Sequence, residues 1–349
     1  MSMDADDLRE APLKPYRVLD LTQENGFLCG KILADLGADV VKIEPPQGDP
    51  GRSIGPFYRD EVNPERSLYW FSFNLNKRSI TLDMEIEDGR EILKRLVERA
   101  DFLIESFPPG HMDELGLGYE DLKESNPGLI MISITPFGQS GPYSHFKGPD
   151  IVNMAMGGQM HLCGNEDTPP VRISHPQSYL HAAMEGAVGG LIALYYRESN
   201  GVGQHVDVSA QQSVIWTLMD ATAYWDLNKL NLHRSGQYYP RATSSGETRF
   251  RILWPCKDGF VSFFLMADPS TIPGILQMVD WMEEEGIDVS YLKSVDWNAL
   301  NYDTLTEEEY ERMGVPLPKR SMSVWESPSW SSSPVIRKRS SMKEQSKGV

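Results

Sequence analysis

The sequence has few cysteines and no surplus of basic residues, and both shortages exclude classes of function. Only three of the 349 residues are cysteine, at positions 29, 163 and 256. An odd number of thiols without the spacing of zinc ligands predicts reduced, packed cysteines and no metal site. The 50 acidic residues outnumber the 33 basic ones, which gives a net charge of -17. Because nucleic acids are bound by neutralising phosphates, this balance argues against a nucleic-acid partner, although a few local cations can still hold one small anion.

Long apolar runs are also missing. No stretch approaches the roughly 20 apolar residues of a membrane span. Residues 1–10 are acidic and polar, unlike the basic start and apolar centre of a signal peptide. We therefore expect a cytoplasmic protein with no membrane partner. A chain of 349 residues with 40% hydrophobic content is long enough for two globular domains.

The segment from residue 15 to 46 has the pattern of one βαβ unit. Residues 18–21 and 40–43 are short apolar runs of the kind that form buried parallel strands. Apolar residues recur at helical spacing between them, and Gly37 suits the end of that helix. We predict an α/β protein with a Rossmann-like, doubly wound large domain and a smaller α+β domain. In such a domain ligands bind at the carboxyl ends of the strands.

A glycine-rich phosphate-binding turn is absent from this unit. The turn at 22–27 reads Thr-Gln-Glu-Asn-Gly-Phe and lacks the G-x-G-x-x-G pattern, and it adds a negative charge where a pyrophosphate would lie. NAD or FAD binding is therefore disfavoured. Glu44, at the position of a ribose-binding acid, is then expected to be a surface residue at a strand end.

Further elements follow from the same patterns. We predict strands at 101–105, 129–134 and 205–209, helices at 88–99, 179–198 and 210–225, and a hairpin at 249–265 that turns at 257–259. Residues 45–67 are expected to form a surface loop, and 267–312 to hold amphipathic helices. The helix at 179–198 should bury its large apolar residues, which are Leu180, Met184, Val188, Leu191, Ile192 and Tyr195.

The chain resembles family III CoA-transferases, the CaiB–BaiF family, through a series of motifs in fixed order between residues 15 and 215. Each motif is weak alone, and the order makes the signal specific. The motifs lie at 15–22, 33–46, 76–83 (Asn-Lys-Arg-Ser-Ile-Thr-Leu-Asp), 101–110 (Asp-Phe-Leu-Ile-Glu-Ser-Phe-Pro-Pro-Gly), 115–119, 126–127, 137–142, 193–197 and 201–209.

The resemblance implies a domain arrangement. We expect an N-terminal tail at 1–14, a large CoA-binding domain at 15–225, a small domain at 226–318 and a disordered or atypical tail at 319–349. The Ser-rich segment after Lys319 does not resemble the family's return to the large domain. We therefore expect a chain that is truncated or read in a different frame from its relatives.

The resemblance also implies a set of CoA-binding residues. The adenine and diphosphate would lie against Leu82, Glu105, Ser106 and Phe107, with Arg78 assigned to the same site. Lys147 falls where some relatives have a CoA-contacting lysine. Leu82 and Phe107 as core residues, and Lys147 as a solvated lysine, remain alternatives. The chain departs from the family at Ser106, usually an asparagine, and at Glu85 and Glu114, where relatives have cations.

The expected nucleophile of the family is missing. Family III transferases place an aspartate at the start of the long helix, and that position holds Tyr179 here. A carboxylate is needed because it attacks the thioester to give a mixed anhydride and release CoA thiolate. A phenol with a pKa near 10 is mostly protonated at neutral pH. Tyr179 is still assigned to the catalytic position, with Glu185 as a distant substitute and Asn25 near the position of a glutamine that holds the reacting carboxyl. His175 and His181 flank the helix start.

The sequence thus predicts a CoA-transferase that moves CoA from an acyl-CoA to a carboxylic acid through enzyme-bound acyl intermediates. CoA and acyl-CoA are expected as substrates, with no permanently bound cofactor. Because Tyr179 replaces the aspartate, we expect low activity from this chain alone, restored by Tyr179→Asp if the rest of the site is intact. One alternative is a catalytically deficient subunit that binds acyl-CoA beside an active paralogue, so both a homodimer and a heteromer stay open. An acyl-CoA racemase is less favoured, because the family's Gly-His-Asp motif reads Gly148-Pro149-Asp150 and proline cannot move a proton.

Overall fold

The computed structural model describes residues 11–229, 231–243, 246–263 and 270–300. The chain divides into two compact units. The first contains Met1–Cys163 and Pro170–His233, and the second contains Gly164–Pro169 and Arg234–Val349. The predicted atypical tail at 319–349 lies outside the described residues. Leu13, in the predicted N-terminal tail, is buried.

The first unit is built on a sheet of six parallel strands. The strands are β1 (Arg17–Asp20), β2 (Asp39–Glu44), β3 (Arg78–Thr81), β4 (Phe102–Glu105), β5 (Ile130–Thr135) and β6 (His205–Ser209). Their order across the sheet is β3-β2-β1-β4-β5-β6. This is the doubly wound order of Rossmann folds, whose connections reverse between β1 and β4. The predicted fold class is therefore confirmed.

The helices of this unit follow the strands. They are α1 (Phe27–Asp35), α2 (Leu68–Asn74), α3 (Glu87–Val97), α4 (His111–Glu114), α5 (Tyr119–Ser125), α6 (Asp150–Met156), α7 (Gln159–Leu162), α8 (Ser178–Asn200), α9 (Ala210–Trp216) and α10 (Met219–Asn228). The helix predicted at 210–225 is interrupted after Trp216 and continues from Met219. The segment 45–67, predicted as a loop, carries short 3₁₀ turns at Pro50–Ser53, Tyr58–Asp60 and Pro64–Arg66.

Two apolar clusters cover the two faces of the sheet. One packs α1 and α8 against β1, β4 and β5 around Phe102 and Ile132. The other packs α3 and α5 on the opposite face around Leu103 and Leu122. Because both faces are covered, the central strands are buried along their length, which explains why they read as continuous apolar runs.

The buried face of α8 is not the predicted one. Its buried residues are mostly small: Ser178, Ala182, Ala183, Gly186, Ala187, Gly190, Ala193 and Leu194. A Cβ added at Gly190 would come within 2.7 Å of the Ile132 side chain, so the helix lies very close to β5. Met184, Val188, Ile192 and Tyr195 are exposed instead, whereas Leu180 and Leu191 are partly buried and Leu191 packs against the cluster on this face. The prediction was wrong for the four exposed residues because their large side chains would not fit between the helix and β5.

Glu44 is also placed differently from the prediction. It is buried at the end of β2, where Arg52 Nε and Nη2 donate to its two carboxylate oxygens at 2.6 and 2.8 Å. The Ser79 hydroxyl donates a further bond at 2.5 Å. Burial alone would raise the pKa of Glu44, but these donors outweigh it and lower the pKa to about 2. Glu44 is therefore an ionised buried anchor for the 50–53 turn, and not a surface acid.

The second unit is α+β, as predicted. Strands β7 (Tyr238–Thr243) and β8 (Gly246–Arg251) pair antiparallel, as do β9 (Leu253–Cys256) and β10 (Gly259–Ser262). The turn between β9 and β10 confirms the predicted hairpin turn, with shorter arms because residues up to Arg251 pair with β7. Helices α11 (Ile272–Glu284) and α12 (Ser290–Ser294) follow, with a small core of Ile275, Val279 and Val289. The rest of the predicted helical segment lies outside the described residues.

Candidate active site

A pocket of about 680 Å³ opens at the carboxyl ends of β1, β4 and β5. This is the edge of the sheet where the strand order reverses, and so the place where doubly wound folds bind ligands. Its walls are the loop after β1, the turn after β4, the segment leading into α6, and the start of α8. Its lining includes Gln23, Glu24, Asn25, Ser106, Phe107, His145, Lys147, Gly148, Asp150, His175 and Tyr179.

The loop after β1 is held by buried charges beneath it. Thr22 donates from its amide and its hydroxyl to Asp20 Oδ1, at 2.9 and 2.6 Å. Lys77 Nζ lies 2.8 Å from Asp20 Oδ2. Burial would raise the pKa of Asp20, but Lys77 and Lys42 outweigh it and keep the pKa below its ordinary value. Lys42, itself buried, donates to the Thr22 carbonyl. The loop carrying Asn25 therefore starts from a fixed point.

The turn after β4 rests on a buried carboxyl group. Glu105 is almost fully buried and its Oε2 accepts the Phe107 amide N–H at 2.7 Å. Burial raises the pKa of Glu105 to about 7, against the opposing effect of the Ser133 hydroxyl and the Phe107 N–H. Ser106 accepts the Gln23 amide N–H on its hydroxyl at 2.9 Å, which joins this turn to the loop after β1. The two walls thus form one connected surface.

A carboxylate from the first residue of α6 and a phenol from the first turn of α8 both line the pocket. Asp150 Oδ1 accepts the amide N–H groups of Gln177 and Ser178 at 2.8 and 2.9 Å, and so caps the helix. Tyr179 donates its hydroxyl to the Gly148 carbonyl at 2.7 Å. Burial raises the pKa of Tyr179, which keeps the phenol protonated. A helix N-terminus favours negative charge, so Asp150 is well placed as an anion.

The structure brings most of the predicted site residues together. Asn25, Ser106, Phe107, Lys147 and Tyr179 line the pocket, and Glu105 lies directly under its wall. Lys147 is exposed, and no hydrogen bond or ion pair to it occurs within the described ranges 11–229, 231–243, 246–263 and 270–300. The functional roles of these residues stay predictions.

Besides Glu105, three predicted residues lie outside the pocket lining. Leu82 is partly buried and packs against the cluster on the α3 face. Arg78 is directed to Asp39, with Nη2–Oδ2 at 2.7 Å. Glu185 is exposed on α8. Sequence reasoning gave Asp150 little weight, because its capping partners are 27 and 28 residues away and only the fold brings them together.

Comparisons with known proteins agree with this architecture. The model of CoA-transferase family III matches residues 13–284. Subunit BbsE of succinyl-CoA:(R)-benzylsuccinate CoA-transferase from Thauera aromatica is 36% identical over 84% of this chain and 70% of its own length. Succinyl-CoA–D-citramalate CoA-transferase from Chloroflexus aurantiacus is 38% identical over 75% of this chain and 63% of its own. The chain thus spans roughly two thirds of the length of these relatives.

A solved structure shows the same fold. The CAIB/BAIF family protein from Brucella suis superposes with a TM-score of 0.62 at 28% identity, over 92% of this chain and 87% of that chain. No helix among the described residues combines the length and the apolar character that a membrane crossing requires. The matching family and the named relatives are all CoA-transferases. The chain belongs to CoA-transferase family III.

Proposed function

We propose that the pocket of 680 Å³ binds an acyl-CoA and transfers its CoA to a second carboxylic acid. One observation carries the proposal: a single pocket joins the predicted CoA-binding residues Ser106, Phe107 and Lys147 to the start of α8, where the acyl group must react. Acyl-CoA is then a substrate that arrives and leaves, with no resident cofactor required.

The composition of the pocket suits CoA. Lys147 supplies a cation for a phosphate, free of competing ion pairs within the described residues, while Phe107, Phe146, Tyr69 and Phe73 offer apolar surface to the pantetheine arm and the adenine. The pocket volume lies within the range of about 300–1,000 Å³ that is usual for small-molecule sites. The overall charge of -17 does not oppose this, because the positive charge is local.

For the substrates we propose succinyl-CoA as donor and a dicarboxylic acid as acceptor. Both curated relatives carry succinyl-CoA in their names, and their acceptors, benzylsuccinate and citramalate, are dicarboxylic acids. His145 and His175 line the same pocket and can hold the second carboxylate of such a substrate. The reacting carboxyl group would lie near Asn25.

A second candidate function is an acyl-CoA-binding subunit without its own turnover. Tyr179 stands where the family has its aspartate, and its phenol is held protonated by burial. The relative from Thauera aromatica is itself named as a subunit. In that case the chain would act in a heteromer with an active paralogue; otherwise we expect a homodimer. Both assemblies would be cytoplasmic.

Purified chain tested alone separates these functions. Calorimetry with CoA and succinyl-CoA measures binding, and chromatography of succinyl-CoA mixed with a panel of dicarboxylic acids measures the new thioesters. Binding together with a new thioester supports the transferase, and binding without turnover supports the subunit. A chain that binds neither CoA nor succinyl-CoA contradicts both.

A further inference from the structure

We propose that Asp150 is the carboxylate that accepts the acyl group in this chain, in place of the aspartate that Tyr179 replaces. The inference rests on the proposed transferase function. It assigns a nucleophile to a site where the sequence provides none at the usual position. Its support is the geometry of the two carboxylate oxygens.

The two oxygens of Asp150 have different environments. Oδ1 accepts two backbone N–H groups at the start of α8, from Gln177 at 2.8 Å and Ser178 at 2.9 Å. Oδ2 is buried and has no hydrogen-bond partner among the described residues. Arg172 Nη1 lies 3.9 Å from Oδ2, and the Asp150 side chain is 10% exposed. One oxygen is therefore fixed by two donors and the other accepts no hydrogen bond, in a residue that lines the pocket. Because Oδ2 has almost no accessible surface, attack requires that substrate binding uncovers it.

This division suits nucleophilic catalysis in both directions. Oδ2 attacks the thioester carbonyl carbon, the C–S bond breaks, and CoA leaves as thiolate with a mixed anhydride on Asp150. The thiolate then attacks the Asp150 carboxyl carbon, and the original acyl group departs as a free carboxylate, which leaves an aspartyl–CoA thioester. In that second step negative charge develops on Oδ1, where the two N–H groups act as an oxyanion hole.

The acceptor acid completes the cycle by the same steps in reverse. Its carboxylate attacks the aspartyl–CoA thioester, thiolate is released, and the acceptor becomes joined to Asp150 as an anhydride. The thiolate attacks the acceptor's carbonyl carbon and forms the new acyl-CoA, and Asp150 regains its carboxylate. All bonds formed and broken balance, and no oxidant, metal or further reactant is needed.

Other groups fit the role less well. The carboxylates that line the pocket are Asp150 and Glu24, and Glu24 is exposed with neither oxygen held by a donor in the described part of the chain. Glu185 is exposed on α8 away from the lining. Tyr179 uses its hydroxyl proton in a bond to the Gly148 carbonyl. Asp150 alone combines a free oxygen with a preformed pair of donors.

The test is to trap and locate the enzyme-bound intermediate. Full-length protein is incubated with succinyl-CoA and hydroxylamine, which converts an activated carboxyl group to a hydroxamate, and peptide mass spectrometry locates the modified residue. We compare wild type with Asp150→Asn, Tyr179→Phe and a matched surface change, Asp121→Asn on α5. Asparagine keeps an acceptor oxygen for the N–H groups of residues 177 and 178, so the helix cap is preserved, and the melting temperature checks this.

We expect the hydroxamate on Asp150 in wild type, in Asp121→Asn and in Tyr179→Phe. In Asp150→Asn it should be absent, with turnover lowered by about 10³-fold or more and succinyl-CoA binding retained. Adduct on Glu24, Glu185 or Tyr179, or turnover that survives Asp150→Asn, overturns the assignment. Wild type that binds succinyl-CoA but forms no adduct overturns it too, while leaving the CoA site in place. Wild type that binds no succinyl-CoA overturns the proposed function itself, and the assignment with it.

Discussion

Lys147 and Glu105 show how two neighbouring parts of one pocket depend on charge in different ways. Lys147 is an exposed cation at the pocket wall, and its ammonium group can be met by a ligand without breaking an existing ion pair in the described structure. Glu105 is a buried acid that supports the wall from behind. The first should affect ligand affinity, and the second should affect the pH dependence of folding.

Lys147→Ala is expected to weaken CoA binding. A charge-assisted bond to phosphate contributes about 1.5–3 kcal/mol, which corresponds to a rise in Kd of roughly 10- to 150-fold. Calorimetry with CoA measures the change. The ratio of affinities for succinyl-CoA and acetyl-CoA should stay the same, because the contact proposed for this lysine is with the phosphate and not with the acyl group.

Lys123→Ala is the matched control, because Lys123 lies on α5 outside the pocket lining, is only partly buried and pairs with Glu120. It should bind CoA as the wild type does. An unchanged Kd in Lys147→Ala would place that lysine in solvent in the complex.

Glu105→Gln should change how stability depends on pH. The pKa of Glu105 is raised to about 7 in the folded chain by burial, against about 4.3 in an unfolded chain. The folded state therefore binds this proton more tightly, and the free energy of unfolding falls as the pH rises from about 4 to 7. The loss amounts to about 4 kcal/mol at most. Glutamine cannot ionise and still offers an oxygen to the Phe107 N–H, so the variant should lack this loss.

Urea unfolding at pH 5 and pH 8 measures the effect. Relative to wild type, Glu105→Gln should be more stable at pH 8 than at pH 5, while Glu124→Gln on the exposed face of α5 should follow the wild type at both. Parallel pH profiles for wild type and Glu105→Gln would show that Glu105 is already ionised in the folded protein well below pH 7.

At single residues, the sequence predicts which side chains line the pocket better than it predicts which side chains contact each other. Ser106 and Phe107 could be placed in the pocket because a contiguous motif carries them. Glu44 could not be placed correctly, because its partners Arg52 and Ser79 lie 8 and 35 positions away. The surroundings of Asp150 could not be predicted either. The role proposed for it depends on two backbone N–H groups at the start of α8, which no local sequence pattern indicates.

At the scale of elements, α8 is the feature where sequence pattern and packing disagree. The strands were predictable because a buried parallel strand is a short apolar run, and burial on both faces leaves that run unmixed. The buried face of α8 could not be predicted in this way. Its small residues lie so close to β5 that the helix backbone and the side chains of the sheet fill the space between them. Size complementarity, and not hydrophobic periodicity, decides which face of α8 is inside.

Ala187→Leu should therefore destabilise the protein. Ala187 is 2% exposed in the cluster between α8 and the sheet, and added methylenes there must displace neighbours. Overpacking of this kind costs about 1–3 kcal/mol. Val188→Leu, one residue further along the helix and 51% exposed, should change stability by less than about 0.5 kcal/mol. Thermal unfolding of both variants measures the difference, and equal melting temperatures would place the other face of α8 against the sheet.

At the scale of the whole molecule, the fold offers a nucleotide-binding architecture whose phosphate-binding turn has been replaced. The sheet order is that of dinucleotide-binding domains. The turn after β1 carries Gln23, Glu24 and Asn25 in place of glycines. It is held by the hydrogen bond from Thr22 to Asp20 and by the hydrogen bond from the Gln23 N–H to Ser106. A pyrophosphate cannot approach the backbone there, and Glu24 repels it. The same edge of the sheet therefore favours a ligand whose phosphates lie elsewhere in the pocket.

CoA and NAD should consequently differ in their effect on thermal stability. A ligand that binds only the folded state at 100 times its Kd stabilises by about 2.7 kcal/mol, which raises the melting temperature of a protein this size by several degrees. We expect that shift with CoA and succinyl-CoA, and none with NAD at the same concentration. In Lys147→Ala the CoA shift should shrink at a fixed ligand concentration, while the melting temperature without ligand stays at its wild-type value. A shift with NAD and none with CoA would mean that the turn after β1 admits a pyrophosphate despite its side chains, and would contradict the assignment of the pocket to CoA.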